Sequence, residues 1–211
     1  MKIAVPVTAT RHKEAVKDIE EVVKAKADIV ELRIDYFENP SPNLEVLITK
    51  CKNLRIPVII TNRAKDEGGY FSGTEGERTG LLRESVCYCP EYVDIEFNHM
   101  VIMPKYLSKI IVSYHNFNET PQDLKGIYNK IIDTNADIVK IAVKANYEED
   151  VARMISLIEY ADKPIIGISM GELGKKTRLH PKNYLTFACL PGKASAPGQF
   201  EIDEIRKIIQ S

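Results

Sequence analysis

The chain has 211 residues, 44% of them hydrophobic and 28% charged, an ordinary globular composition sufficient for one large domain or two small ones. Its 29 basic and 30 acidic residues leave a formal net charge of −1, which gives no reason to expect nucleic acid or an anionic membrane as partner. No apolar signal segment or membrane-length run occurs, which points to a soluble, cytoplasmic protein. The four cysteines (Cys51, Cys87, Cys89, Cys189) lack metal-ligand spacing and read as free thiols in a reducing compartment.

The first strand reads from Ile3 to Val7, directly after Met1-Lys2. Pro6 donates no hydrogen bond and so belongs near a strand end or an irregularity. Residues 11–26 place Ala15, Ile19, Val22 and Val23 on one face and predict a helix. Ile29 to Ile34 is the second strand. Residues 39–42 form a proline-rich turn into a helix carrying Leu44, Leu47 and Ile48. The third strand, Pro57 to Thr61, runs into a glycine-containing loop over 66–76, and a helix follows from Glu77 to about Cys89. Tyr92 to Phe97 is the fourth strand. The connection from Asn98 to Ser108 has room only for a small helix, and the fifth strand, Lys109 to Tyr114, leads into His115. Thr120 reads as the cap of the next helix, with Pro121 in its first turn and Leu124, Ile127, Tyr128, Ile131 and Ile132 as its buried stripe. The sixth strand is Ile138 to Val143. A helix over 147–161 leads to the seventh strand, Pro164 to Ser169, and then to a polar stretch with at most a short helix. The eighth strand, Leu185 to Leu190, precedes a proline- and glycine-rich loop. A last helix follows, marked by Ile202, Ile205, Ile208 and Ile209.

Eight strand patterns alternating with helices imply parallel pairing with right-handed crossovers. The expected fold is α/β: a single compact (β/α)₈ barrel over 1–211, with no N-terminal extension ahead of its first strand. An open doubly wound sheet should carry a glycine fingerprint after the first strand, and Thr8-Ala-Thr-Arg11 provides none.

Lys140 stands in the middle of an apolar strand of that series. A strand so placed is covered on both faces, so the lysine is desolvated and its charged form disfavoured. A neutral buried amine is what a Schiff-base nucleophile has to be. Barrel chemistry gathers at the C-terminal strand ends and the loops after them. Those places hold Glu31 and Arg33 on one strand face, Arg63 with Glu67, His115 on the strand beside Lys140, Met170 and Arg178, and Ser195, Pro197 and Gln199. Imine formation needs an acid for dehydration, and His115 supplies a proton carrier. Glu31 and Arg33 read equally as a structural ion pair. Asp94 and Glu96 share a face and read either as acid/base groups or as support for neighbouring cations. Gly68-Gly69 matches no nucleotide motif.

Six stretches carry a resemblance over nearly the whole length: Glu31-Leu-Arg33-Ile-Asp35; Arg63 with Glu67-Gly-Gly69; Ser113-Tyr-His115-Asn-Phe117; Lys140-Ile-Ala-Val143; Ser169-Met170 with Arg178; and Ala194-Ser195-Ala-Pro-Gly-Gln199. In these the chain resembles the type I 3-dehydroquinate dehydratases of the shikimate pathway. The resemblance implies a (β/α)₈ barrel that dehydrates 3-dehydroquinate to 3-dehydroshikimate through a lysine imine, with no metal and no cofactor. It implies Lys140 as the imine-forming amine, His115 as general acid/base and Glu67 as the group orienting His115. Arg178, Ser195 and Gln199 would hold the substrate carboxylate, Glu31, Arg33 and Arg63 the ring hydroxyls, and Met170 would pack near the imine. The loop from Ser195 to Gln199 would close over the ligand. The chain departs from the pattern in lacking the extension of longer members and in placing Pro6 near an expected small hydroxyl residue at the site floor. A class I aldolase acting on a small keto sugar or sugar phosphate is the nearest rival reading, and a non-catalytic binding barrel the next. A homodimer stays open.

Overall fold

The structure, a computed structural model, describes residues 1–39, 41–104 and 106–210. Pro40, in the turn expected at 39–42, lies outside the described residues. Eight strands follow one another in parallel: β1 (Lys2–Val7), β2 (Ile29–Arg33), β3 (Val58–Thr61), β4 (Tyr92–Glu96), β5 (Lys109–Asn116), β6 (Ile138–Lys144), β7 (Ile165–Met170) and β8 (Leu185–Cys189). Each strand from β1 to β6 pairs with the next, and β8 returns to β1 in the register Lys2 to Leu185 and Ala4 to Phe187. The last seam, between β7 and β8, rests on a single bridge, Ile165 to Asn183. There the Asn183 amide stands in for a strand neighbour, accepting from Gly167 N at 2.8 Å and donating to Gly167 O at 3.3 Å. The sheet therefore curls into a (β/α)₈ barrel. A two-residue strand, β9 (Phe200–Glu201), adds to β8, too short to show any strand periodicity in the sequence.

Strand alternation explains why these segments sit here. Val5, Val30, Ile60, Val93, Val112, Val139 and Ile141 point outward, where they meet Ile19, Leu44, Leu82, Leu124, Met154 and Ile158 of the helices. These belong to α1 (His12–Lys24), α2 (Ser41–Asn53), α3 (Glu75–Cys87), α4 (Leu124–Ile132) and α5 (Glu148–Tyr160); α6 (Ile202–Gln210) follows β9. Alternate residues Ala4, Ile29, Ile59, Tyr92, Ile111, Ile138, Ile166 and Leu185 fill the barrel interior as a separate apolar cluster. Pro6 sits near the end of β1 opposite Glu31, beyond the stretch of β1 that pairs with β8. No helix among the described residues is long and apolar enough to cross a membrane.

One expectation needs correction. Thr120 does not cap a helix: its hydroxyl donates to the Lys144 carbonyl at 2.7 Å, and α4 starts at Leu124 with the Asp123 carboxylate accepting from Gly126 N. Asp123 is the stronger cap, and its capture of the Gly126 N–H sets the start. The small helix expected after β4 is, among the described residues, the 3₁₀ turn Phe97–His99. The last helix is α6 as expected, with Ile202 and Ile205 buried and Ile208 and Ile209 44% and 51% exposed.

Candidate active site

Two residues further along five of the strands, the barrel interior changes from apolar to polar or charged. Glu31, Thr61, Asp94, Ser113 and Lys140 follow Ile29, Ile59, Tyr92, Ile111 and Ile138 on the same face, and all five are buried. Buried charges persist only when paired. Lys140 Nζ donates to Asp94 Oδ2 at 2.8 Å, lies 3.9 Å from Glu31 Oε1, and sits 4.5 Å above the Phe187 ring. Arg63 meets the same carboxylate: its Nη2 spans both Asp94 oxygens at 3.2 and 3.1 Å, and its Nη1 donates to Glu96 and Ser113 at 3.0 and 2.8 Å. Despite full burial, Arg63 and Lys140 hold the Asp94 carboxyl far below the usual carboxylate range. Desolvation is likewise outweighed at Arg63 by Asp94 and Glu96, which raise its guanidinium further.

His115 lies on β5, whose Ser113 pairs with Lys140 and whose His115 pairs with Ala142, so it stands one interior position nearer the barrel mouth than the lysine. Glu67 Oε2 meets His115 Nδ1 at 2.9 Å and accepts from His115 N at 3.0 Å; Oε1 accepts from Asn98 Nδ2 at 3.0 Å. Among the described residues, that pairing leaves Nε2 without a hydrogen bond. Burial, then the cations Arg63 and Lys140, push the imidazole well below its ordinary value, so it rests neutral. Burial pushes the Glu67 carboxyl up to about 7, against Arg63. The turn that delivers Glu67 needs its glycines. Gly68 has φ +80°, and a Cβ on Gly69 would lie 1.9 Å from the Arg63 carbonyl oxygen.

Arg33 is held by Asp35 in a two-point pair, Nε to Oδ1 at 2.9 Å and Nη2 to Oδ2 at 2.7 Å, so its structural partner is Asp35 and not Glu31. Glu31 accepts from Thr61 Oγ1 at 2.8 Å. Arg178 is 1% exposed; among the described residues its one hydrogen bond is from Nη2 to the Pro197 carbonyl at 3.1 Å, and its Nε has no partner. No carboxylate faces it among the described residues, and burial lowers its guanidinium to about 10. The 3₁₀ turn Lys175–Leu179 fixes this arginine, because Thr177 Oγ1 accepts from Ser169 N at 2.9 Å. Gln199 folds the loop after β8: its Oε1 accepts from Ser195 N and Oγ at 2.8 and 3.2 Å, and its Nε2 donates to the Ala188 carbonyl at 3.0 Å.

One cavity of about 110 Å³ at the C-terminal mouth is lined by Glu31, Arg33, Arg63, Glu67, His115, Lys140, Met170, Arg178, Ser195 and Gln199, so the residues to which the resemblance gives a role meet there, while Pro197, Asp94 and Glu96 do not line it. Phe187, Phe117 and Ile168 complete its apolar wall. A larger open groove of about 540 Å³ beside Tyr36 and Tyr70 has no lysine, arginine or histidine among its described lining residues. Sequence reasoning left the partners unassigned. Asp94 and Glu96 had a signal, their shared strand face. Asn98 and Arg78 had none, because loop and helix residues reach the site only through the fold. All four cysteines are free, and no grouping of three or more His, Cys, Asp or Glu side chains suited to a metal occurs among the described residues.

Fold and cavity together define the class: a (β/α)₈-barrel enzyme with its polar groups gathered at the C-terminal mouth. The family model described as Type I 3-dehydroquinase matches residues 3–211. The chain is similar to the 3-dehydroquinate dehydratase of Methanocaldococcus jannaschii, 38% identical over 98% of this chain and 96% of that one. It is also 38% identical to the bifunctional 3-dehydroquinate dehydratase/shikimate dehydrogenase of Arabidopsis thaliana, over 96% of this chain but only 36% of that longer protein. Among solved structures it is similar to the type I 3-dehydroquinate dehydratase from Clostridium difficile with covalently modified comenic acid. The TM-score is 0.83 and the identity 28%, over 99% of this chain and 90% of that one. The chain belongs to the type I 3-dehydroquinase family. Its activity is the hydro-lyase dehydration of 3-dehydroquinate in aromatic amino acid biosynthesis, by the Schiff-base route characteristic of that family.

Proposed function

We propose that Lys140 forms the imine of this dehydration and that His115 carries its protons. One observation carries the reading: a single cavity holds a buried lysine, a histidine tied to a carboxylate through Nδ1, and a buried arginine with no carboxylate partner among the described residues. Lys140 passes a proton to His115 Nε2 and attacks the ring ketone as the neutral amine. The carbinolamine loses water, with His115 as acid, to give the iminium. The iminium draws electrons from the adjacent carbon, and His115 Nε2 removes a proton there to leave an enamine. The enamine electrons expel the neighbouring hydroxyl, which departs as water with the proton His115 returns. Water then adds to the iminium, and collapse frees the enone product and the amine.

Glu67 holds His115 so that Nε2 faces the substrate. Arg178 takes the substrate carboxylate, with Ser195 beside it and Gln199 shaping the loop; its uncommitted Nε and Nη hydrogens suit a planar anion. Arg33 Nη1 and Glu31 meet ring hydroxyls. Arg63 has both Nη groups engaged by the protein, so only its Nε is left for a ligand. Met170 packs beside the imine. The covalent ligand in the Clostridium difficile relative supports covalent chemistry at a site of this kind. Four free thiols support a cytosolic setting, and balanced charge a small molecule rather than nucleic acid as partner. His115→Ala tests the assignment. Turnover falls by about 10²–10⁴-fold or more, while slow imine formation survives and stays reducible by borohydride. A variant turning over near the wild-type rate would remove His115 from this role.

A further inference from the structure

Arg78 does not line the cavity, yet it is 2% exposed and tied on every side. Its Nε and Nη2 take both oxygens of Glu75 at 2.8 and 2.7 Å, and its Nη1 donates to Glu96 Oε2 at 2.8 Å and to the Asn62 carbonyl. Glu96, fully buried, holds Arg63 Nη1 at 3.0 Å through its other oxygen, which also accepts from Ala64 N at 3.0 Å. Arg63 Nη2 spans Asp94, and Asp94 holds Lys140 at 2.8 Å. From Glu75, whose side chain is 50% exposed, to Lys140 the charges alternate in sign, each within hydrogen-bond distance of the next.

Arg63 serves two buried carboxylates at once. Without Arg78, Glu96 has one cation fewer and draws harder on Arg63, and Asp94 is left to act more strongly on Lys140. We propose that Arg78 is a positioning residue for Lys140: by neutralising Glu96 it frees Arg63 to balance Asp94, and so sets how readily the Lys140 amine gives up its proton. The proposal rests on Lys140 being the imine-forming amine. The titratable and charged groups around that amine are Asp94 from β4 and Glu31 from β2, with Arg33 of β2, Arg63 and Glu67 after β3, His115 of β5 and Arg178 after β7 sharing its cavity. Only Asp94 and Arg63 connect by hydrogen bonds to Glu96 and Arg78. Charges this deep are poorly screened by salt, so the effect persists at physiological ionic strength.

A charge cycle tests it, read by the pH dependence of borohydride trapping with 3-dehydroquinate in a single turnover, with peptide mapping of the label. Arg78→Met removes a positive charge, favours the ammonium, and moves the rising limb of trapping to higher pH by on the order of half to one unit. Glu96→Gln removes a negative charge and moves it to lower pH. The double variant, which removes one charge of each sign, returns the midpoint to the wild-type value. Because the double variant leaves no uncompensated charge, it and Glu96→Gln still decide the sign if Arg78→Met fails to fold. Label on Lys140 with unmoved midpoints in the variants, whatever their melting temperatures, overturns the proposal and makes Arg78 a structural residue only. Shifts of the two single variants in the same direction overturn it equally. Label on another lysine overturns the assignment of Lys140 itself, a separate failure visible in the same maps.

Discussion

Arg178 is the side chain whose surroundings are least balanced. A guanidinium taken almost wholly out of water, with one carbonyl as its hydrogen-bond partner, costs the empty protein stability, because charge is expensive to bury without an opposite charge. The cost is recovered when a carboxylate arrives. Arg178→Met is therefore expected to raise the melting temperature of the ligand-free protein while raising KM. Arg178→Lys keeps the charge but not the fork, and its kcat/KM falls by an amount equivalent to about 1.5–3 kcal/mol. Thermal melts with and without substrate, beside steady-state kinetics, check both; an unchanged kcat/KM in Arg178→Lys would take the residue out of substrate binding. At this scale the sequence was informative about reactive groups and poor on their partners. Lys140 stands out because a charge interrupts an apolar strand. That Asp94 meets its amine, or that Arg33 pairs with Asp35 rather than Glu31, depends on side-chain geometry that strand alternation cannot give.

Among the elements, the turn after β3 decides where Glu67 goes. The 3₁₀ turn Lys65–Glu67 ends at Gly68 in the left-handed region, and Gly69 packs directly on the Arg63 backbone. Gly69→Ala forces that backbone apart, since the nearest atoms are main-chain and cannot swing away. Its expected effect is loss of turnover, through displaced Glu67 and a loosened His115, larger than its effect on KM. Equal loss in both would mean that the turn shapes binding instead. The alternation of strands and helices was legible because period-2 and period-3.6 patterns differ plainly over these lengths. The ends of elements were less so. Thr120 and Asp123 are both plausible caps, and the choice fell to the residue whose carboxylate captures Gly126 N. The short connection after β4 and the two-residue β9 leave no periodic trace at all. The seam between β7 and β8, carried by the Asn183 side chain, is equally silent in sequence.

For the molecule as a whole, the barrel is an apolar floor with a charged network set on it, and the network makes stability depend on pH. Glu67, pushed up to about 7 from an ordinary value of 4.5, holds more protons folded than unfolded across that window, so by itself it makes stability fall as pH rises from about 4.5 to 7. His115, pushed well below its ordinary 6.5, acts oppositely: the unfolded chain takes up a proton that the folded one refuses, so stability is lost as pH drops through about 6.5. Glu67→Gln removes the first term and leaves the second. The rise in melting temperature from pH 5.5 to pH 7.5 should then be larger in the variant than in the wild type; an equal or smaller rise would contradict the assigned directions. The central claim concerns the lysine at the centre of that network. Wild-type protein treated with borohydride and 3-dehydroquinate should lose activity, and its intact mass should gain the ligand through a stable secondary amine. Peptide mapping should place that mass on the peptide containing Lys140, and Lys140→Ala should stay folded, lack activity and refuse the label. Label mapping to Lys144, Lys175 or Lys193, or full activity with no trapping under any condition, would contradict the account.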